Sequence, residues 1–327
     1  MKLTVTQLKA RNLLLHYLQS AKYVTVPNHC LCGNFNDLII ASQDRYGIPL
    51  MTKLCRNCGL VRSDPYYSQP TLKHFYGNLY RQLYSSHKLT TAAQFQAAYR
   101  GAAQISEFVM PWLRRNSVVF DVGCGSGATV KYFSDQGHTT FGCDYSKDYI
   151  RYGKKLGLRL YYGSVEKLRK RGPADLILLN HVLEHFPDPL SELKQIRTLL
   201  KPQGLLLIGV PGIFDIHRSY KGLAEFIQNA HAFHFTQRTL DRVLASTGFI
   251  HLSSNSTILA VYRKGKPRLT PLHQNPWHIY LYLSFVPILK WFHLTSRRLE
   301  NNAVLILNRL QMYNLIRSGY RFIKHQK

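Results

Sequence analysis

A run of strand texture, Val118-Val-Phe-Asp121-Val122, passes without a break into Gly123-Cys124-Gly125-Ser-Gly127 and then into the helix-forming ATVKYFSDQG. Glycines at alternate positions let the backbone pass close to a ligand, and the helix start beyond them offers N–H groups without chain partners. A glycine pattern alone is weak evidence; its place between a strand and a helix gives it meaning. The apolar runs TTFGCD (139–144), LRLYY (158–162), ADLILLN (174–180) and GLLLIGV (204–210) follow, separated by helical patterns. Such an alternation predicts a parallel sheet covered on both faces. FIHLSSN and TILAVYR then read as a closing strand pair.

The pattern D-x-G-x-G-x-G begins with an acid on the strand itself, unlike the G-x-G-x-x-G of dinucleotide sites. Asp144, at the end of the second strand and 23 residues after Asp121, is placed to accept two ribose hydroxyls. On these residues the chain resembles class I S-adenosylmethionine-dependent methyltransferases. The resemblance runs over roughly residues 29–255. It includes Asp175-Leu-Ile-Leu-Leu-Asn180-His181-Val-Leu-Glu184-His185-Phe-Pro-Asp188, Leu200-Lys-Pro-Gln-Gly204 with Val210-Pro211-Gly212, and His234-Phe235-Thr236. It implies an α/β fold, a Rossmann-like seven-stranded methyltransferase sheet, and S-adenosylmethionine as cofactor. By resemblance, Gly123, Cys124, Gly125 and Gly127 line the amino-acid moiety, with Asp121 behind its ammonium. Asp144 takes the ribose, Tyr145 lies beside the adenine, and Ser164 and Val165 hold the adenine edge. Asn180 and His181 lie near the sulfonium.

Four cysteines fall in one short region, in His29-Cys30-Leu31-Cys32-Gly33 and Cys55-Arg56-Asn57-Cys58-Gly59. Zinc takes four N/S ligands tetrahedrally, often from two such knuckles about 20 residues apart. Matching register makes the ligands His29, Cys32, Cys55 and Cys58, with Cys30 as the alternate fourth. The second knuckle continues C-G-L-V-R-S-D-P, and with it the chain resembles the sugar C-methyltransferase-like branch. That branch cradles a nucleotide-linked sugar between zinc module and active site. The resemblance makes His185 the base, with Glu184 orienting it and His181 close by; His231 and His234 are further candidates for the pocket. Tyr76 and Tyr80 match aromatic positions ahead of the domain, and Arg100 is a candidate for the donor carboxylate. Cys124 and Cys143 read as packing thiols.

The texture divides the chain into an N-terminal helix (1–26), a zinc-binding module (27–70), a methyltransferase domain with leading helices (71–264) and a basic helical extension (265–327). The 43 Lys and Arg against 17 Asp and Glu give a net charge of +26. Residues 263–327 alone hold 12 basic residues and one acid, Glu300. Nucleic acid, an anionic membrane and a phosphorylated substrate each suit that balance. The clusters Lys167, Arg169, Lys170, Arg171 and Arg263, Lys264, Lys266, Arg268 are expected at the sheet edge opposite the glycine loop, away from an active site. Leu299, Ala303, Ile306, Leu310 and Tyr313 form an apolar helical face flanked by Arg298, Arg309 and Arg317, suited to an anionic membrane surface or an acidic partner. No export signal is read in residues 1–20, so a cytoplasmic protein, peripheral to a membrane, is expected. The sequence thus favours a methyltransferase acting on a nucleotide sugar or glycan precursor. An RNA methyltransferase and an inactive binding module are the alternatives.

Overall fold

The computed structural model describes residues 3–84, 90–268 and 276–309, with side chains of the last helix described as far as residue 295. The chain opens with helix α1 (Val5–Gln19), capped by Thr4. Strands β1 (Thr25–Val26), β2 (Asp37–Gln43), β3 (Pro49–Cys55), β4 (Val61–Ser63) and β5 (Tyr66–Tyr67) then build the cysteine region. Helices α2 (Gln69–Asn78), α3 (Tyr80–Tyr84) and α4 (Ala92–Val109) lead to the main sheet.

Among the described residues that sheet has seven strands. They are β6 (Val118–Val122), β7 (Thr139–Asp144), β8 (Leu160–Tyr162), β9 (Ala174–Asn180), β10 (Leu200–Gly209), β12 (Phe249–Ser254) and β13 (Leu259–Lys264). Their spatial order is β12-β13-β10-β9-β6-β7-β8; β13 runs antiparallel to both neighbours and the others run parallel. The order reverses at β6 beside β9, and doubly wound sheets place ligands in the crevice at such a reversal. Helices α5 (Ala128–Asp135), α6 (Lys147–Lys155), α7 (Pro189–Leu199) and α10 (Gln237–Ser246) cover the sheet.

Alternation along the strands explains the two-sided core. Leu176, Leu178, Leu205 and Leu207 pack with Val109 and Phe133 on one face. Ile177, Leu179, Leu206 and Ile208 pack with Leu193, Ile196 and Leu240 on the other. Each such side chain, removed from water, contributes roughly 1.5–3 kcal/mol.

The cysteine region is not a bead beside this sheet. Strand β11 (Phe233–His234), reached through helices α8 (Ile216–Ser219) and α9 (Leu223–Phe226), pairs antiparallel with β4 and completes the sheet β11-β4-β3-β2. Side chains reinforce that seam. Asn28 Nδ2 donates to Ala232 O (3.3 Å), Ser63 Oγ to His231 O (2.8 Å) and Tyr67 Oη to Asn229 Oδ1 (2.8 Å). Fully buried Arg62 holds Asp37 with Nη1 and Nη2 at 2.9 and 2.7 Å.

Helix α11 (Trp277–Arg309) packs Ile279, Leu283 and Val286 on Leu50, Leu54 and Ile216. No helix among the described residues is long and apolar enough to cross a membrane. The face expected at Leu299, Ala303, Ile306, Leu310 and Tyr313, with Arg298, Arg309 and Arg317, lies outside the described side chains. Arg171 and Arg263 sit at the edge opposite the glycine loop as expected, whereas Lys167 does not, its side chain lying against Gly163 at the end of the sheet that carries Asp144. Arg263 is in register with Leu205, near the entry of β10, and Arg171 precedes β9 and covers the ring of Tyr161 at 4.9 Å.

Candidate active site

The loop after β6 turns back at once. Gly123 N–H and Cys124 N–H both donate to Cys143 O (2.8 and 3.0 Å), which ties the loop to β7. Gly123 has φ +73°, and a Cβ there would strike Val182. Gly127, φ +86°, begins α5, and its Cβ would lie 2.8 Å from Leu160 Cδ1. Both positions combine a left-handed backbone with no room for a side chain, so only glycine fits. Gly125 N–H donates to Asp144 Oδ2 (2.9 Å), and Ser146 N–H donates to Asp144 Oδ1 (2.6 Å).

Around this loop the structure brings together the residues expected for the cofactor. Asp121 is buried at the strand end, and burial, reinforced by Asp144, pushes its carboxyl up to about 8. An ammonium placed beside it would supply the missing counter-charge. Gly163 N–H donates to Asp144 O (3.0 Å), which sets Ser164 and buried Val165 beside the end of β7. Exposed Tyr145 stands edge-on to Tyr162 at 6.5 Å. Asn180 ends β9 against Gly209, where any Cβ would collide with its Oδ1. The thiols of half-buried Cys124 and buried Cys143 are both pushed up by desolvation, as in packing groups. These residues fit an adenosyl amino acid: amides and a carboxylate at one end, a carboxylate at the ribose position, an aromatic beyond it.

Arg81, on α3, was not foreseen. Its guanidinium lies 3.5 Å over the Tyr149 ring, with Nη2 3.4 Å from Asp144 Oδ1. Arg100 lies exposed on α4.

The second centre follows β9. His181 has φ +56° and is exposed, with Nδ1 3.4 Å from Glu184 Oε1; that carboxylate raises its pKa. Glu184 is 1% exposed, and neither carboxylate oxygen has a hydrogen-bond partner among the described residues. His185 Nδ1 meets Ala230 O at 2.8 Å. Tyr76 Oη also lies 3.0 Å from that nitrogen; a carbonyl only accepts, so the Ala230 contact favours the tautomer with the proton on Nδ1 and Nε2 as acceptor. That Nε2 is 3.9 Å from Glu184 Oε1. Ala230 O also accepts from Tyr66 Oη (2.7 Å) and Tyr76 Oη (3.0 Å), and the rings of Tyr76 and Tyr80 enclose His185 at 5.8 and 5.7 Å. His231 stands edge-on to His185 at 4.9 Å, with His234 5.4 Å beyond. Burial lowers both, His234 to about 3. Glu184, His185 and His231 present ligand-type atoms within 4.8 Å of one another, a spacing that suits a shared proton or a cation.

Arg45 was also not foreseen. It sits in the β2–β3 turn, where Asp44 Oδ1 accepts from Tyr46 N–H and Ile48 N–H (2.8 and 2.9 Å). Its Nε and Nη2 are buried without a partner, and its charge helps depress His231 and His234. An arginine in a surface-type turn carries no sequence signal that it faces inward.

The cysteine cluster corrects one ligand. Cys30, Cys32, Cys55 and Cys58 converge, with Sγ–Sγ distances of 3.4 Å (Cys30–Cys58), 3.5 Å (Cys30–Cys32) and 3.6 Å (Cys32–Cys55). Cys30 takes the place expected for His29, whose ring instead stands against Phe35 at 5.2 Å. The chain turns between Cys30 and Gly33, where Gly33 N–H donates to Cys30 O (2.8 Å). That turn aims two sulfurs only two residues apart at one point. Four sulfurs about 2.3 Å from a central ion lie about 3.8 Å from one another, so the cluster fits tetrahedral zinc. Asn34 Nδ2 and Asn57 Nδ2 donate to Cys55 Sγ and Cys32 Sγ (3.5 and 3.6 Å), and donors around Cys55 favour its thiolate.

Two relatives named ubiquinone biosynthesis O-methyltransferase resemble this chain. The Haemophilus ducreyi protein is 33% identical over 102 residues, 28% of this chain and 43% of its own length. The Histophilus somni protein is 32% identical over 124 residues, 34% of this chain and 50% of its own. The chain therefore spans about half the length of these curated relatives or less. Among solved structures, the Burkholderia thailandensis 1,6-didemethyltoxoflavin-N1-methyltransferase is 24% identical with a TM-score of 0.40, covering 52% of this chain and 79% of that one. Residues 93–253 match the family model described as a methyltransferase domain. The glycine loop, Asp144 and the centre after β9 all fall within that match, and this part of the chain is a methyltransferase domain.

Proposed function

We propose that the chain is a zinc-containing S-adenosylmethionine-dependent methyltransferase whose acceptor is an anionic glycan precursor, such as a nucleotide-linked sugar. The observation that carries this reading is the centre after β9. Glu184 is buried with no hydrogen bond to either oxygen among the described residues, its Oε1 facing His181 Nδ1 at 3.4 Å and His185 Nε2 at 3.9 Å, and the Ala230 carbonyl engages the other nitrogen of His185. A buried carboxylate without donors is costly, and a proton arriving at His185 relieves it.

Bound at the glycine loop, S-adenosylmethionine supplies an electrophilic methyl group. The chain's own part is alignment and proton removal. His185 Nε2 takes the acceptor's proton, and the imidazolium that forms is held by Ala230 O at Nδ1 and by the Glu184 carboxylate near Nε2. The relatives' name favours a hydroxyl as acceptor atom. Arg45 supports an anionic acceptor, because buried guanidinium nitrogens without partners suit a phosphate or carboxylate. Zinc at Cys30, Cys32, Cys55 and Cys58 would tie the end of the β2–β3 hairpin where Asp37 pairs with Cys55, the end remote from Arg45.

The test is methyl transfer from a labelled donor to nucleotide-linked sugars by nuclease-treated, zinc-loaded protein. We expect turnover that Arg45→Met weakens through KM, by roughly 10- to 100-fold, the loss of one charge-assisted hydrogen bond. Turnover only on RNA, or on an uncharged ring hydroxyl regardless of Arg45, would overturn the acceptor assignment.

A further inference from the structure

Helix α11 has two apolar faces. Ile279, Leu283 and Val286 point into the protein. On the opposite side Leu281, Phe285 and Ile288 each leave about half of their surface to solvent, and Trp291 leaves 61%. Their spacing of four, three and three residues sets them in one stripe along the helix. Trp277 and Phe292, 57% and 58% exposed, extend it at the two ends. A contiguous exposed stripe of large apolar residues marks an interaction surface, whereas scattered ones do not.

The charge around the stripe selects the partner. The sequence from Arg263 onward holds 12 Lys and Arg against Glu300 alone. Within the helix, Lys290 shares the inward face with Leu283 and Val286, and its Nζ donates to Arg218 O (3.3 Å). Trp and Phe beside Lys and Arg suit the boundary between lipid headgroups and acyl chains. The helix lies on such a surface and does not cross it: Pro287 and Lys290 interrupt it, and no span of crossing length is present among the described residues.

We propose that α11 docks the protein in-plane on an anionic bilayer, through Leu281, Phe285, Ile288 and Trp291, with the net positive charge of the sequence from Arg263 onward drawing it to anionic headgroups. The inner face of α11 packs on Ile213, Ile216, Phe226 and Ile227. That segment leads directly to Asn229–His234, the wall of the acceptor site, so docking sets that wall beside the bilayer.

Co-flotation of the full chain with vesicles tests the proposal, comparing phosphatidylcholine alone with an equimolar phosphatidylcholine–phosphatidylglycerol mixture. Expected is binding to the anionic vesicles that falls at least tenfold in high salt and tenfold in the double variant Leu281→Glu, Phe285→Glu. Melting temperature and cofactor affinity of that variant should match the parent, which separates lost docking from lost folding. The same experiment with Ile288→Glu alone guards against misfolding of the double variant. Equal binding to neutral and anionic vesicles would overturn the proposal, as would unchanged binding of both variants. So would light scattering that shows a dimer which the variants convert to monomer, since the stripe would then cover a second copy.

Discussion

Gly127 occupies a left-handed conformation at the start of α5, with Leu160 and Leu158 packed where a Cβ would be. Gly127→Ala should cost roughly 2–4 kcal/mol in strain and overpacking and abolish cofactor binding, as thermal melting and calorimetry would show. His185 works through a different physical property, the tautomer favoured by Ala230 O. His185→Ala should lower kcat by about 10²–10⁴-fold with cofactor affinity unchanged; equal turnover would remove it as base. Neutral, buried His234 sets a pH dependence. Its folded pKa, about 3, lies below the unfolded value near 6.5 under the combined effect of burial, Arg45 and His185. Between those values the unfolded chain binds more protons, so stability rises with pH, by up to about 1.4 kcal/mol per pH unit from this group. Urea titrations from pH 4 to 7 should show that slope, to which buried His231 adds in the same direction, and His234→Gln should remove the part due to His234 while leaving that of His231. The residues that sequence made legible lie where contiguous patterns point: Asp121, Gly123 and Asp144 at strand ends and Gly127 at the start of α5. Arg45 and Arg81 were illegible because their roles depend on which distant surface their turn or short helix meets.

At the scale of elements, every strand of the main sheet was visible because each is a contiguous apolar run between helical patterns. Strand β11 was not, since two residues carry no periodicity and their pairing with β4 depends on tertiary placement. The fourth cysteine escaped register for a related reason. Knuckle spacing predicts a ligand three positions before Cys32, at His29, whereas the turn at Cys30–Gly33 aims the sulfur two positions before it. Because β11 joins the cysteine sheet to the wall at Asn229–His234, loss of metal should be felt at the acceptor and not at the donor. Cys55→Ser, or a chelator, should lower the melting temperature and kcat/KM for the acceptor, while calorimetry finds cofactor affinity within about twofold. Zinc content measured on the same samples ties the effect to the ion. Loss of cofactor affinity in step with zinc would contradict this division.

For the whole molecule, the excess of positive charge resolves into places. Arg171 and Arg263 lie at the edge away from the glycine loop, and Arg169 is paired with Glu166. Arg45 and Arg81 face inward instead, each beside a site that calls for charge. The seam between β4 and β11 also has a consequence in time. Arg62 and its partner Phe233 are 171 residues apart, so at about 5–20 residues per second roughly 10–30 s of synthesis separates them. Through that interval β4 is an open edge, a template that other nascent chains can join. The four cysteines, by contrast, have all emerged by residue 58, and a metal can close them long before the last strand arrives. On the proposed zinc reading, metal supply during translation, more than supply afterwards, should therefore decide how much of this protein reaches its folded state.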